Sequence, residues 1–120
     1  MPRIHVREFL HVNVEVTDLQ RALAFYRQFG LQELPRLGIP GRSGAWLCFP
    51  DGKQLHLSVG TPTPDRRAHI AFRVEDLAAA RAVLAASGAP FETERDIPGM
   101  IRFFTRDPDG NRLEIVQRID

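Results

Sequence analysis

The chain has 120 residues, 43% of them hydrophobic and 26% charged, the balance of one folded globular domain spanning 1–120 and not of a disordered or low-complexity segment. Lys and Arg number 16 against 15 Asp and Glu, a net charge of +1, too weak a field to hold a nucleic-acid backbone or an anionic membrane surface. No stretch approaches the roughly 18 apolar residues of a membrane helix, and Arg3, Arg7 and Glu8 interrupt the start where a signal peptide would be apolar. The single cysteine, Cys48, cannot close an intrachain disulfide or build a thiolate zinc site alone, so a cytoplasmic protein is expected.

Leu10, Val12, Val14 and Val16 alternate with His11, Asn13 and Glu15, the period of a half-buried strand with His11 on its polar face. Thr17-Asp18 then offers N-cap chemistry, and Leu19, Ala22, Leu23 and Tyr26 recur at helical spacing up to Gly30, a left-handed C-terminal cap. A loop with Pro35, Gly38, Pro40 and Gly41 follows. A hairpin is expected next, with strands over 45–49 and 54–59 about the Pro50-Asp51-Gly52 turn. The same order then recurs: a strand over 68–74, a helix over 76–87, and a hairpin over 101–106 and 112–117. Short additional strands are expected over 32–37 and 89–95.

That recurrence is an internal repeat at an offset of 58 residues. Without a gap it superposes His11 on His69, Asp18-Leu19 on Asp76-Leu77, Gly30 on Gly88, Ile39-Pro40-Gly41 on Ile97-Pro98-Gly99, and Pro50-Asp51-Gly52 on Pro108-Asp109-Gly110. An α+β fold follows, with two tandem modules over about 8–60 and 66–118 related by a pseudo-twofold axis. Each contributes a mostly antiparallel sheet with a helix on its outer face, and the inner faces enclose a cleft.

Strand parity adds chemistry to the repeat. His56 and Ser58 alternate with Leu55, Leu57 and Val59, as Glu114 does with Leu113 and Ile115, and His56 superposes on Glu114. His11, His69, His56 and Glu114 therefore occupy two symmetry-equivalent pairs of positions, each opposite an aliphatic face. Three imidazoles and a carboxylate suit one divalent ion such as zinc, iron, nickel, cobalt or manganese; the set argues against copper(I), iron–sulfur clusters and calcium. His5 falls opposite Thr63 in the repeat and reads as a surface residue. Trp46 and Phe104 are repeat partners that either hold an apolar or aromatic substrate body or pack in the core. Arg73 and Arg102 either pair with a carboxylate or phosphate on a small-molecule substrate or are solvated strand residues. Asn13 and Ser58 read as donors supporting the ligands.

The segments HVNVEVTDLQRALAFY, GAWLCFPDGKQLHLSV, HIAFRVEDLAAARAVL and FFTRDPDGNRLEIVQ resemble the vicinal oxygen chelate superfamily. It includes glyoxalase I, methylmalonyl-CoA epimerase, extradiol ring-cleaving dioxygenases, fosfomycin-resistance transferases and bleomycin-sequestering proteins. The resemblance implies paired βαβββ modules, one ligand from the first and fourth strands of each module (His11, His56, His69, Glu114), and a homodimer. It also implies a metal-dependent lyase or isomerase of the glyoxalase type, acting on a small carbonyl or thiol-adduct substrate through a stabilised enolate, with Glu114 doubling as the base. An iron-dependent extradiol-type dioxygenase and a non-catalytic binder of a drug or metabolite are the alternatives. At the position of His56 glyoxalase I carries Glu and the epimerase Gln, a departure that bears on the reaction and leaves the fold untouched.

Overall fold

The computed structural model describes residues 2–36 and 43–119. Gly38, Pro40 and Gly41 of the expected loop, and the end of the expected strand over 32–37, lie outside the described residues.

Two modules repeat one order. The first is β1 (His11–Val16), α1 (Leu19–Arg27), β2 (Gln32–Leu34), β3 (Gly44–Cys48) and β4 (Gln54–Val59). The second is β5 (His69–Arg73), α2 (Leu77–Ala86), β6 (Phe91–Glu92), β7 (Met100–Arg106) and β8 (Arg112–Arg118). Every expected element is present, and boundaries move by a residue or two, and by up to three for the short strands β2 and β6.

The helices begin where the sequence places caps. Asp18 accepts a hydrogen bond from the Arg21 backbone N–H at 3.1 Å, and Asp76 accepts one from Ala79 at 3.0 Å. Each satisfies one of the amide groups a helix start leaves unpaired. Asp76→Ala is expected to destabilise the protein by about 1 kcal/mol, read as a lower urea midpoint with an unchanged slope. Beyond the helix ends Gly30 and Gly88 stand at φ +73° and +82°, where a Cβ would be strained.

The sheets run β1-β4-β3-β2 and β5-β8-β7-β6. Within each, the first and fourth strands pair in parallel and the remaining pairs are antiparallel. A strand-helix start forces the parallel pairing, because the chain crosses the sheet before it can return by hairpins. Strand parity holds: Leu55 and Leu57 are buried while His56 and Ser58 face the other way. α1 buries Ala22, Leu23, Phe25 and Tyr26, whereas the Ala-rich α2 buries only Leu84 among the described residues.

Among the described residues no ladder joins the two sheets, so β1 and β5 are both edge strands. The modules meet instead through Phe29 and Phe49 against Phe72, with ring centroids 5.2 Å apart in each pair, and through polar bonds to the β7–β8 turn. The Cα radius of gyration is 15.5 Å, above the roughly 13.5 Å typical of a chain this long. The chain is therefore spread, with extents of 46 × 42 × 27 Å. No described helix is long and apolar enough to cross a membrane.

Candidate metal centre

The polar face of each sheet carries one pair of the expected donors. On the second, His69 Nε2 lies 3.0 Å from Glu114 Oε1. The other ring nitrogen, Nδ1, is 2.9 Å from the Arg67 carbonyl oxygen. A carbonyl only accepts, so Nδ1 carries the hydrogen and the neutral ring turns its Nε2 lone pair toward the carboxylate. Two lone pairs facing each other at that distance repel, and the contact is satisfied by a cation: a proton on Nε2 or a metal ion. A ligating imidazole with its second N–H held by a backbone carbonyl is the usual support of a metal centre. Two donors bound at about 2.1 Å and at right angles stand about 3 Å apart, so the pair fits a divalent ion.

Glu114 is buried, and its second oxygen accepts from Arg102 Nη1 at 3.1 Å. Arg102 is itself fixed by the Arg95 carbonyl, 2.8 Å from Nη2. Oε2 is thereby committed to the guanidinium and Oε1 faces the ligand space.

On the first sheet His11, His56 and Trp46 form a column of rings, with centroids 4.0 Å and 4.7 Å apart and the planes nearly parallel. Register explains it: His56 is paired with Asn13 on one side and Trp46 on the other, and His11 lies two residues before Asn13 on the parallel strand, on the same face. His56 Nε2 donates to Gln54 Oε1 at 2.8 Å, which leaves the Nδ1 lone pair free to ligate. Burial, then the neighbouring His11 and Arg36, hold His56 below the usual imidazole range, so its ring is neutral near pH 7 and fit for a metal.

A single chain brings His69 to Glu114 and His11 to His56, and does not gather the two pairs. Among the described residues no three His, Cys, Asp or Glu side chains cluster closely enough to hold an ion. The expectation that four donors converge is thus not met inside one chain, because the sheets that carry them share no ladder. Asn13 and Ser58 hydrogen-bond to each other at 2.7 Å and to neither imidazole. His5 is exposed, and Cys48 is half-buried with Sγ 3.2 Å from the Phe49 carbonyl.

Trp46 is half-buried in the ring column, whereas Phe104 is only 2% exposed. Phe104 meets His69 edge-on at 5.1 Å and is roofed by the Arg112 guanidinium, 3.7 Å from its centroid. It therefore fixes the His69 ring and offers little surface of its own. Arg73 and Arg102 line a cavity of about 450 Å³ beside Glu114. Arg112 and Arg118, absent from the sequence reading, stand on the same face of β8 as Glu114. Counting by twos along that strand finds both.

Paired β-α-β-β-β modules with imidazole and carboxylate side chains on the polar sheet faces define a two-module fold class. The chain belongs to the Glyoxalase/Bleomycin resistance protein/Dioxygenase superfamily, whose profile matches residues 8–115. A lactoylglutathione lyase of Arabidopsis thaliana is 31% identical over 134 residues, covering 98% of this chain and 46% of that protein. The chain thus spans about half the length of the curated relatives it matches. A glyoxalase-family protein from Bacillus anthracis has a solved structure at TM-score 0.84 and 29% identity, covering 98% of this chain and 99% of that one. An E126Q mutant of the Listeria monocytogenes fosfomycin resistance protein FosX, solved with Mn(II) and 1S,2S-dihydroxypropylphosphonic acid, superposes at TM-score 0.78. It is 20% identical and covers 92% of each chain, a likeness of fold.

Proposed function

We propose that the protein is a divalent-metal-dependent lyase or isomerase of the glyoxalase type, acting on a small carbonyl or thiol-adduct substrate. In this reading His11, His56, His69 and Glu114 hold the ion, and two copies of the chain complete each centre. The observation that carries it is the His69–Glu114 contact, in which Nε2 and a carboxylate oxygen stand 3.0 Å apart with the far ring nitrogen fixed by a carbonyl. The lyase name of the plant relative and the Mn(II) held by FosX support the same reading.

A divalent ion there supplies Lewis acidity toward neighbouring oxygens of a substrate and stabilises negative charge developing beside a carbonyl. The chain's own residues do the rest. Arg67 and Gln54 set the ring tautomers, Phe104 holds the His69 ring edge-on, and Arg102 occupies Glu114 Oε2 so that a proton leaving the substrate carbon is taken at Oε1. Trp46, at the end of the ring column, offers an apolar wall for the substrate body.

Two copies are invoked because each chain holds the donors as two separate pairs, each with one imidazole on an edge strand, β1 or β5, and is spread wider than its length requires. The test has two stages. Elemental analysis of protein never exposed to chelator should find one divalent ion per centre, and assays with hemithioacetals and 2-substituted carbonyl compounds should show turnover. Oxygen uptake with catechols would instead assign a dioxygenase, and affinity without turnover a binder. Mixing His11→Ala with Glu114→Gln after co-refolding should then restore about a quarter of wild-type activity, since half the dimers are mixed and each mixed dimer has one intact centre. No recovery would place the centre within one chain.

A further inference from the structure

Beyond Glu114 the polar face of the second sheet is basic. β8 places Glu114, Val116 and Arg118 on one face, while Arg73 on β5 and Arg102 on β7 flank Val116 from either side. Arg73, Arg102, Arg118 and Glu114 line one cavity of about 450 Å³, with Ile97 and Met100 in the same wall. Arg102 is spoken for by Glu114 Oε2 and the Arg95 carbonyl. Glu92 and Glu94, on and just beyond β6, are engaged by Arg106 and Arg112. Among the described residues Arg73 and Arg118 form no ion pair or side-chain hydrogen bond. Two uncommitted guanidiniums thus share one cavity with a third whose Nε, Nη1 and Nη2 already donate to protein oxygens. Among the described lining residues Glu114 is the one carboxylate, and it is held by Arg102, so the exposed Arg73 and Arg118 are left to a ligand; a planar guanidinium is the side chain suited to an oxyanion.

We propose that Arg73 and Arg118 form an oxyanion seat at the far end of the cleft, and that the substrate carries a carboxylate or phosphonate on a short apolar spacer. The proposal deepens the metal-centred reading of the same cleft by naming its substrate class. Spacing sets the length. At about 3.3 Å per strand residue, Arg73 in the row of Val116 lies about 7 Å along the sheet from Glu114, and Arg118 about 13 Å. The anion is therefore several bonds from the reacting carbonyl, which separates this class from 2-oxo acids whose carboxylate adjoins that carbonyl. Ile97, Met100 and Val116 lie along the intervening wall or strand and suit the methylenes of the spacer.

The seat is tested on metal-free protein, so that its outcome is independent of the metal. Amide chemical-shift titrations with glutarate, with propylphosphonate and with neutral butyramide are followed at residues 112–118. Both anions should shift these amides and butyramide should not, the tighter of the two identifying the natural head group. Arg73→Gln and Arg118→Gln should each weaken anion binding at least fivefold, the double variant should abolish it, and Arg118→Lys should restore part of it. Zinc affinity measured in parallel should be unchanged in these variants. Anion binding indifferent to both arginines, or butyramide binding as well as glutarate, overturns the seat whether or not the metal is found. Loss of zinc binding in wild type with anion binding intact would overturn the metal reading alone.

Discussion

Glu114→Gln is expected to lower divalent-metal affinity by more than about 100-fold and to bring turnover to background while the fold is retained. The substitution keeps shape and keeps an oxygen for Arg102 Nη1, which now reaches Oε2 at 3.1 Å. What it removes is the negative charge facing His69 Nε2 and the basic lone pair at Oε1. With an amide there, a cation at His69 gains only a neutral partner, and no group at that position can accept a proton from a carbon acid near pH 7. Metal content per chain, isothermal titration with zinc and manganese, and a thermal melt separate the effects. Wild-type activity in a variant that melts normally would strip Glu114 of both roles. Full metal occupancy with no turnover would keep the base and remove the ligand.

How far the sequence disclosed this centre depends on which kind of constraint placed each residue. The repeat and the period of two put His11, His56, His69 and Glu114 on the polar faces, because sterics along a strand alternate whatever the tertiary fold does. The caps at Asp18 and Asp76 were readable for the same local reason. Cross-strand register is not local. That His56 lies between His11 and Trp46, and that Phe104 lies beneath Arg112 instead of open to a ligand, follows from which residues pair across β1, β4 and β3 or meet across β7 and β8. Parity alone cannot supply that pairing. Arg118 differs again: its face was implied by Glu114 four residues earlier, and only the cavity shows that it shares a space with Arg73. The sheets are mostly antiparallel, as expected, and the one parallel pair in each, β1 with β4 and β5 with β8, belongs with the non-local pairings that parity does not give. The strand order leaves β1 and β5 at the edges of their own sheets, and among the described residues the two donor pairs stay apart in one chain.

The contact between modules was invisible for the same reason, and it yields the largest stability effect. Asp107→Ala is expected to cost about 3–5 kcal/mol, a large share of the roughly 5–15 kcal/mol that holds a domain together. Asp107 is 4% exposed, and its carboxylate accepts four hydrogen bonds. Oδ1 takes the backbone N–H groups of Asp109 and Asn111, both at 2.9 Å, and Oδ2 takes the Tyr26 hydroxyl at 2.6 Å and Asn111 Nδ2 at 2.8 Å. One carboxylate thus organises the β7–β8 turn and ties it to α1 of the other module. Alanine would leave the buried Tyr26 hydroxyl and two turn amides without their acceptor. Tyr26→Phe removes only one of the four donors and should cost less, about 1.5–3 kcal/mol. Burial first, and then the Asp107 charge, push the Tyr26 phenol well above its ordinary range. The stability that its neutral form contributes is whole below about pH 10, the unfolded value, and drains away as pH climbs from there toward the folded value. Urea unfolding of both variants and wild type from pH 7 to 11 checks the order and the sign. Asp107→Ala should have the lowest midpoint at pH 7, and the gap between wild type and Tyr26→Phe should narrow above pH 10. A gap that stays constant or widens there would show that the phenol is not held neutral in the fold, and an Asp107→Ala midpoint equal to wild type would show that this carboxylate adds nothing to the joining of the modules.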